Sequence, residues 1–499
     1  MFWDALCSRL AGRSLHCFAF FSNNALLLSL LCCLSLYCFP TLTEAASKAK
    51  ATKAAPDKPV SRAVKVSTPL SRRPVPTKRQ TPQPRRAVPR PKPTPEDAPK
   101  PKKVRPNRTE FSVLPVLGYS TDRGFRFGAY AVIARFKEGY YPYLWRLYFR
   151  LAATVNQTPE GQTIFPMHED FIRLDFPGLF DGKLRLNLRL GFFRFTTTGY
   201  YGVGNNSLKL PDKPSSYYQL DRINPEAAVD ARIQLLKRGR GVLNLVLGTN
   251  LIYNVTNLQD RSQVLDDIRT SRLDTEKGLF LRNYLRGFSN HFLLRFNAGL
   301  LWDSRNHEFA PSAGNLSEIA VRGSGGFDIA SPYLGITGNF RFYISLWKEY
   351  LVLAVRLLTD VIVGQPPYYE LYSYGGLFAQ EGPGGGYSIR GVLAQRYYGK
   401  IKLIGNVELR SKIIPLTFLG QRFNLGLVAF LDAGRVWADF SYKSSRLQEM
   451  IDGATPGIKW AVGGGGRLQW GSTVVMRADV GYSPSDRNLG VFFVLSHMF

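Results

Sequence analysis

From Lys183 to Phe192 the chain reads K-L-R-L-N-L-R-L-G-F. Leu184, Leu186, Leu188, Leu190 and Phe192 fall on one side of an extended strand, and Lys183, Arg185, Asn187 and Arg189 on the other. The same period of two returns near Ile401, where Ile401, Leu403, Val407 and Leu409 oppose Lys402, Asn406, Glu408, Arg410 and Lys412. It returns again where Phe423, Leu425, Leu427, Ala429 and Leu431 alternate with Asn424, Gly426, Val428, Phe430 and Asp432. Strands with one apolar and one charged face suit a water-soluble sandwich, or a membrane barrel with lipid outside and a polar lumen.

Connection lengths separate these two architectures. Strands are expected to begin near residues 111, 125, 143, 169, 183, 217, 240, 291, 316, 333, 350, 395, 421, 459, 473 and 489, sixteen in all. Long connections follow odd-numbered strands, at about 156–168, 197–216, 256–290, 365–394 and 438–458. Even-numbered strands lead mostly into tight turns such as Lys237 to Gly239, Trp347 to Glu349 and Gly471 to Ser472, with 304–315 as the exception. Long loops on one rim, tight turns on the other and an even count predict an all-β fold, a 16-stranded antiparallel transmembrane β-barrel of the outer membrane over residues 110–499. Both termini are then expected at the periplasmic rim. Tyr140, Tyr141, Tyr143, Trp145, Trp437, Trp460 and Trp470 lie near strand ends, where amphipathic rings favour the membrane interface. After residue 45, apolar runs are broken by Asn244, Arg356 or Asp360, which excludes a helical membrane bundle.

The 499 residues include 65 Lys or Arg and 37 Asp or Glu, a formal net charge of +28. Ala46 to Arg108 holds nineteen basic and three acidic residues, and fourteen of the 31 prolines. That stretch carries +16 and the first 45 residues are neutral, leaving +12 for the last 391, so a uniformly basic nucleic-acid binder is excluded. Hydrophobic content of 45% and aromatic content of 13% exclude a largely disordered chain. Residues 46–109 are expected to be a disordered, extended linker, either a solvated tether or an adhesive for an anionic cell-wall polymer.

Arg9 and Arg13 precede the apolar run Ala25 to Phe39, followed by the small residues Thr43, Ala45 and Ala46, which predicts a signal peptide over residues 1–45 and export. All five cysteines (Cys7, Cys17, Cys32, Cys33, Cys38) lie there, so the mature chain is expected to have neither disulfides nor a thiolate metal site. The five histidines are dispersed, no G-x-S-x-G elbow occurs, and Gly382 to Gly386 lacks the Lys and Ser/Thr of a nucleotide P-loop. No enzyme activity, cofactor or metal is therefore expected. Glu408, Arg410, Arg477 and Asp479 are read as lumenal charges, a routine feature of barrel interiors.

Three stretches carry more than a generic barrel pattern. G-P-G-G-G-Y-S-I-R-G-V (Gly382 to Val392) precedes the twelfth strand, F-L-D-A-G-R-V-W (Phe430 to Trp437) lies in the thirteenth, and W-D-S-R-N (Trp302 to Asn306), followed by Pro311 and Gly314, ends the eighth. In this order they resemble the BamA/TamA family of bacterial surface antigens: its inward-folded V-R-G-F/Y loop, its F-x-D-x-G strand and its D-T-R-D-N turn. The resemblance covers about residues 110–499. With Leu114 to Ser120 and Tyr200 to Asn206 it points to the form lacking periplasmic POTRA domains, whose place the basic linker takes here.

Period two aims Asp432 into the lumen, and Arg390 at a loop tip offers a planar fork for a carboxylate. The resemblance implies that Arg390 and Asp432 lock the loop inside the barrel, with Ile389, Gly391, Phe430 and Gly434 as the surrounding motif residues. The expected last strand, Leu489 to Phe499, alternates Val491, Phe493, Leu495, His497 and Phe499 and resembles the C-terminal signal read by the outer-membrane assembly machinery, with Phe493, Leu495 and Phe499 as its residues. The implied function is insertion or translocation of proteins, or of lipid, through a lateral seam between first and last strands. Unfolded outer-membrane proteins would be the clients and outer-membrane lipid the surroundings. The alternative is a passive channel, or an anchor bound to the cell wall through the linker. Pro115 and a short first strand, about Phe111 to Tyr119, are expected to make the seam weak.

Overall fold

In the structure, a computed structural model, Leu184–Gly199 is a strand that sends Leu188, Leu190 and Phe192 outward and Arg185 and Arg189 inward to carboxylates. The structure describes residues 107–499, apart from 141–142, 159–160, 327–331, 378–379, 419–420, 471–473 and 496. The expected signal peptide, the linker through residue 106 and the Gly471–Ser472 turn lie outside the described residues.

Sixteen antiparallel strands close into a barrel. They are β1 (Arg108–Ser120), β2 (Gly124–Phe136), β3 (Trp145–Gln157), β4 (Met167–Leu179), β5 (Leu184–Gly199), β6 (Gln219–Arg238), β7 (Gly241–Asn257) and β8 (His291–Asp303). The second half is β9 (Gly314–Gly326), β10 (Tyr333–Trp347), β11 (Leu351–Gly364), β12 (Ile401–Ser411), β13 (Gln421–Trp437), β14 (Lys459–Trp470), β15 (Val474–Ser483) and β16 (Asn488–Leu495). Ile414–Phe418 prolongs the ladder of β12 along β13. Each strand pairs with its sequence neighbours, and β16 returns to β1 through Tyr119↔Phe493 and Ser120↔Phe492.

The outer surface is apolar: Leu190, Phe296, Ile319, Leu427 and Leu431 are all exposed. Water would disfavour such a continuous band by roughly 25 cal/mol per Å², whereas acyl chains accommodate it, as a membrane barrel requires. Among the described residues no helix is long and apolar enough to cross a membrane. Tyr143 departs from the expected aromatic girdle. It is buried in the lumen, where its hydroxyl donates to Asp175 on β4.

Three boundaries differ from the sequence expectation. β1 is thirteen residues long rather than short. β12 starts at Ile401 rather than near 395, because Gln395 to Tyr398 are buried in the connection before it. β16 stops at Leu495 rather than running to Phe499. There the Phe499 carbonyl accepts from Arg410 Nη2 at 3.0 Å, and its ring stands beside the guanidiniums of Arg410 and Arg356. Phe499 thus turns into the bore beside Tyr343, Val352 and Ala354, while Phe493 and Leu495 keep their outward positions.

The long connections follow β3, β5, β7, β11 and β13, on one rim. Those after β5, β7, β11 and β13 pack with the adjacent strand ends into a tyrosine-rich core that includes Tyr200, Leu281, Tyr284, Tyr368, Tyr398 and Ile451. The Tyr200 to Asn206 stretch ties three connections together. Gly204 N–H donates to Tyr398 O at 2.8 Å, Asn206 N–H to Ile451 O at 3.0 Å, and Tyr200 hydroxyl to Asp267 at 2.8 Å. On the other rim, 304–313 is longer than its neighbours but bonded to itself, since Asn306 Oδ1 accepts from the amides of Ser312 and Ala313 at 3.0 and 3.1 Å.

Candidate functional site: the inward loop and its lumenal charges

Residues 365–400 leave β11 and rejoin β12 at the long-loop rim, yet their middle lies within the bore. The bend needs glycine. Gly391 has φ of 99°, and a Cβ there would stand 2.8 Å from Gly481 O and 2.9 Å from Ser483 N on β15. Gly434 makes room in the facing wall, where a Cβ would meet Leu403 O at 2.7 Å and Ile389 Cδ1 at 3.0 Å. Ile389 fills that space and packs with Val392, Ile404, Val436 and Ala461.

Arg390 is fully buried. Its Nε donates to Asp432 Oδ2 at 2.8 Å and its Nη2 to Asp432 Oδ1 at 2.9 Å, a parallel two-bond fork on the β13 carboxylate. The Arg390 amide N–H donates to the same Oδ2 at 3.1 Å. Nη1 reaches two further acids, Glu408 Oε1 on β12 at 2.6 Å and Asp479 Oδ2 on β15 at 3.0 Å. The guanidinium also lies 3.3 Å from the centroid of the Phe430 ring, close enough for cation–π attraction.

The three acids have further partners. Arg410 Nε donates to Glu408 at 2.7 Å, Arg477 Nη1 to Asp479 at 3.1 Å, and Arg467 also bonds Asp479. Asn406 Nδ2 donates to Asp432 Oδ1 at 2.7 Å and to Ser388 O at 2.6 Å, binding loop and wall together. Arg390 and Asp432, the expected lock pair, and Glu408, Arg410, Arg477 and Asp479, the expected lumenal charges, stand in one cluster. Phe493, Leu495 and Phe499 do not share a face.

Magnitudes define what this cluster can do. Ordering the 36 residues of 365–400 costs about 1 kcal/mol or more for each residue, whereas breaking a buried ion pair costs about 3–5 kcal/mol. The fork therefore selects where the tip sits, and the buried tyrosines and aliphatics supply most of the stabilisation.

An Arg-bearing loop folded into a sixteen-stranded barrel is a specific arrangement, and the Omp85 superfamily domain profile matches residues 176–499. The chain belongs to the Omp85 superfamily. The match runs from β4 through β16 and contains the whole inward loop. As an Omp85 barrel it is an outer-membrane protein of Gram-negative bacteria. Among solved structures, this Omp85 barrel is similar to the crystal structure of BamA from Haemophilus ducreyi lacking POTRA domains 1–3, at 14% identity, over 78% of this chain and 70% of that one, with a TM-score of 0.49. CdiB from Escherichia coli matches at 11% identity over 78% and 67%, with a TM-score of 0.47. CdiB from Acinetobacter baumannii matches at 11% over 78% and 65%, with a TM-score of 0.43. No curated protein matches the sequence.

A second charge cluster escaped sequence reasoning. Arg322 on β9 forks onto Asp360 of β11 and donates through Nε to Glu370 at 2.8 Å, while Lys402 Nζ on β12 lies 2.9 Å from Asp360. Arg356 and Asp360, four residues apart in an otherwise apolar run, mark one face by period two, and that opposite-charge spacing was the available signal. Glu370 had none, being a single acid among tyrosines.

Proposed function

We propose that this barrel inserts or translocates polypeptides at the outer membrane through the β1–β16 seam, with the Arg390 loop setting the state of that seam. The observation that carries this reading is the thin pairing there. Among the described residues two register pairs join β1 to β16, against thirteen between β1 and β2. Thr121 N–H donates to Val491 O at 3.1 Å, so by alternation residues 119, 117 and 115 aim their backbone nitrogens at the same side. Pro115 therefore brings no N–H donor where a partner strand would need one. Phe111, Val113 and Leu117 are exposed along β1, which suits an edge that accepts a client strand within lipid.

The inward loop supports the same reading, because Asn488 Nδ2 on β16 donates to Gly391 O at 2.8 Å. A passive channel is less well supported: the loops of one rim pack a core over the mouth and the 365–400 segment occupies the bore. In this proposal residues 1–45 are the signal peptide and 46–107, up to the start of β1, a basic linker that holds the barrel to an anionic cell-wall polymer. The short-turn rim faces the periplasm. Phe493 and Leu495 serve recognition by the assembly machinery, and no catalysis is involved.

The test is a photoreactive amino acid at Val113, on the seam edge, or at Ile319, exposed on β9. With an unfolded barrel client supplied to reconstituted protein, adducts should form at 113 and not at 319. Equal labelling at both positions, or none at 113 while client insertion proceeds, would refute the seam.

A further inference from the structure

The inward loop begins with one helical turn, Tyr368–Leu371, and the turn together with Tyr372 is bonded to five strands. Tyr368 Oη lies 3.1 Å from Thr256 Oγ1 on β7, and Tyr369 Oη lies 2.8 Å from His291 Nε2 on β8. Glu370 accepts from Arg295 Nη1 on β8 at 3.0 Å and from Arg322 Nε on β9 at 2.8 Å. Arg222 Nη1 on β6 donates to Tyr372 Oη at 3.1 Å, and Lys402 Nζ on β12 to Glu370 O at 3.1 Å. Tyr368, Tyr369, Glu370, Leu371 and Tyr372 are all buried.

The tip of the same loop bonds β11 and β12, through Arg356 Nη2 to Tyr387 O at 2.7 Å and Asn406 Nδ2 to Ser388 O at 2.6 Å, and reaches past them to the strands beside the seam. Besides the Arg390 fork on β13, Arg477 Nη2 of β15 donates to Gly386 O at 2.8 Å, Asn488 of β16 bonds Gly391 O, and Tyr397 hydroxyl donates to Asp486 in the β15–β16 turn at 2.7 Å. In a ring of sixteen strands, β8 and β9 stand diametrically opposite β16 and β1. The loop therefore spans the bore from the wall farthest from the seam to the seam itself.

We propose that the loop is a strap with two unlike ends. The turn at 368–372 is a fixed root, with Glu370 as its positioning residue through Arg295 and Arg322, and the segment 384–397 is a tip that moves with the seam strands. This rests on the seam reading above. Displacing β16 acts directly on the bonds of Asn488 and Asp486 to the tip, whereas Arg295 and Arg322, which hold the Glu370 carboxylate, lie on β8 and β9, half a circumference away. Glu370 therefore gives the tip a fixed point against which to return.

Amide hydrogen exchange on the whole barrel in lipid nanodiscs tests this without any client, so it can succeed or fail independently of insertion activity. In a Tyr119→Cys/Phe493→Cys protein, oxidation should slow exchange in 384–397 by about ten-fold and leave 366–374 within two-fold. Adding Glu370→Gln should speed 366–374 by about ten-fold, the effect of losing one charge-assisted interaction, and should abolish the response of the tip to oxidation. Where Glu370→Gln loses heat-modifiable mobility, Tyr372→Phe, which removes the hydroxyl that accepts from Arg222, takes its place with the same direction of change. Root and tip slowing together on oxidation, or a tip that still responds once the root is loosened, would overturn the proposal.

Discussion

Arg390 is shared by three carboxylates, and this determines what each substitution leaves behind. Without Arg390, the acids Asp432, Glu408 and Asp479 still face Arg410, Arg467 and Arg477 in equal number. Without Asp432, two acids face four guanidiniums. Asp432→Leu should therefore destabilise more than Arg390→Met, each by about 3–5 kcal/mol. The double substitution should cost less than the sum by about 1–3 kcal/mol. Urea titration of heat-modified gel mobility across the cycle measures this, and additive costs would remove the fork as the clamp of the tip. Period two set the lumenal face of Asp432, and the resemblance to the BamA/TamA family supplied its pairing with Arg390. The third partner, Asp479, and the whole Glu370 cluster depend on which strands face each other across the bore. Local periodicity fixes a residue's face and carries no information about what lies opposite.

At the scale of elements, alternation located β5, β12 and β13 well, because lipid on one side and charge on the other leave no freedom of register. Boundaries were legible only where the face pattern ends with the strand. Gln395 to Tyr398 extend the pattern visually, but they belong to the loop and are buried against it. At its other end, His497 and Phe499 extend the alternation of β16, yet Arg410 and Arg356 draw Phe499 inside. The turn between β1 and β2 couples to the same loop through Asp122, which accepts a hydrogen bond from the Ala394 amide. Burial pushes the Asp122 carboxyl from 3.8 up to about 6, although the Ala394 bond and Arg123 pull it down. A raised carboxyl contributes stability that is full below its ordinary value of 3.8 and is lost as the pH rises through about 6. Exchange in 384–397 should accordingly slow between pH 8 and pH 5, after correction for intrinsic rates, and Asp122→Asn should flatten that dependence. An unchanged slope in the Asn variant would mean that another group titrates.

For the molecule as a whole, a closed sixteen-stranded wall would be expected to distribute its pairing evenly, and this one does not. Thirteen register pairs between β1 and β2 and eight between β15 and β16 flank a seam with two among the described residues. The strand count was legible from the strands read along the chain, and the asymmetry of the rims from the lengths of their connections. Pro115 and a short first strand were the expected reasons for a weak seam; β1 is instead thirteen residues long, and the two-pair register accompanies the end of β16 at Leu495. The described barrel contains no cysteine, since all five lie between residues 7 and 38, so a single pair can be introduced cleanly. Tyr119 and Phe493 are both exposed register partners. They form a hydrogen-bonded antiparallel pair, whose Cα separation of about 5.5 Å suits a disulfide. The decisive measurement is client insertion by Tyr119→Cys/Phe493→Cys barrels reconstituted in liposomes, oxidised and then reduced, with conductance recorded on the same preparation. Seam-dependent insertion predicts loss of activity on oxidation, recovery on reduction and little change in conductance. Undiminished insertion by a fully crosslinked population would contradict it.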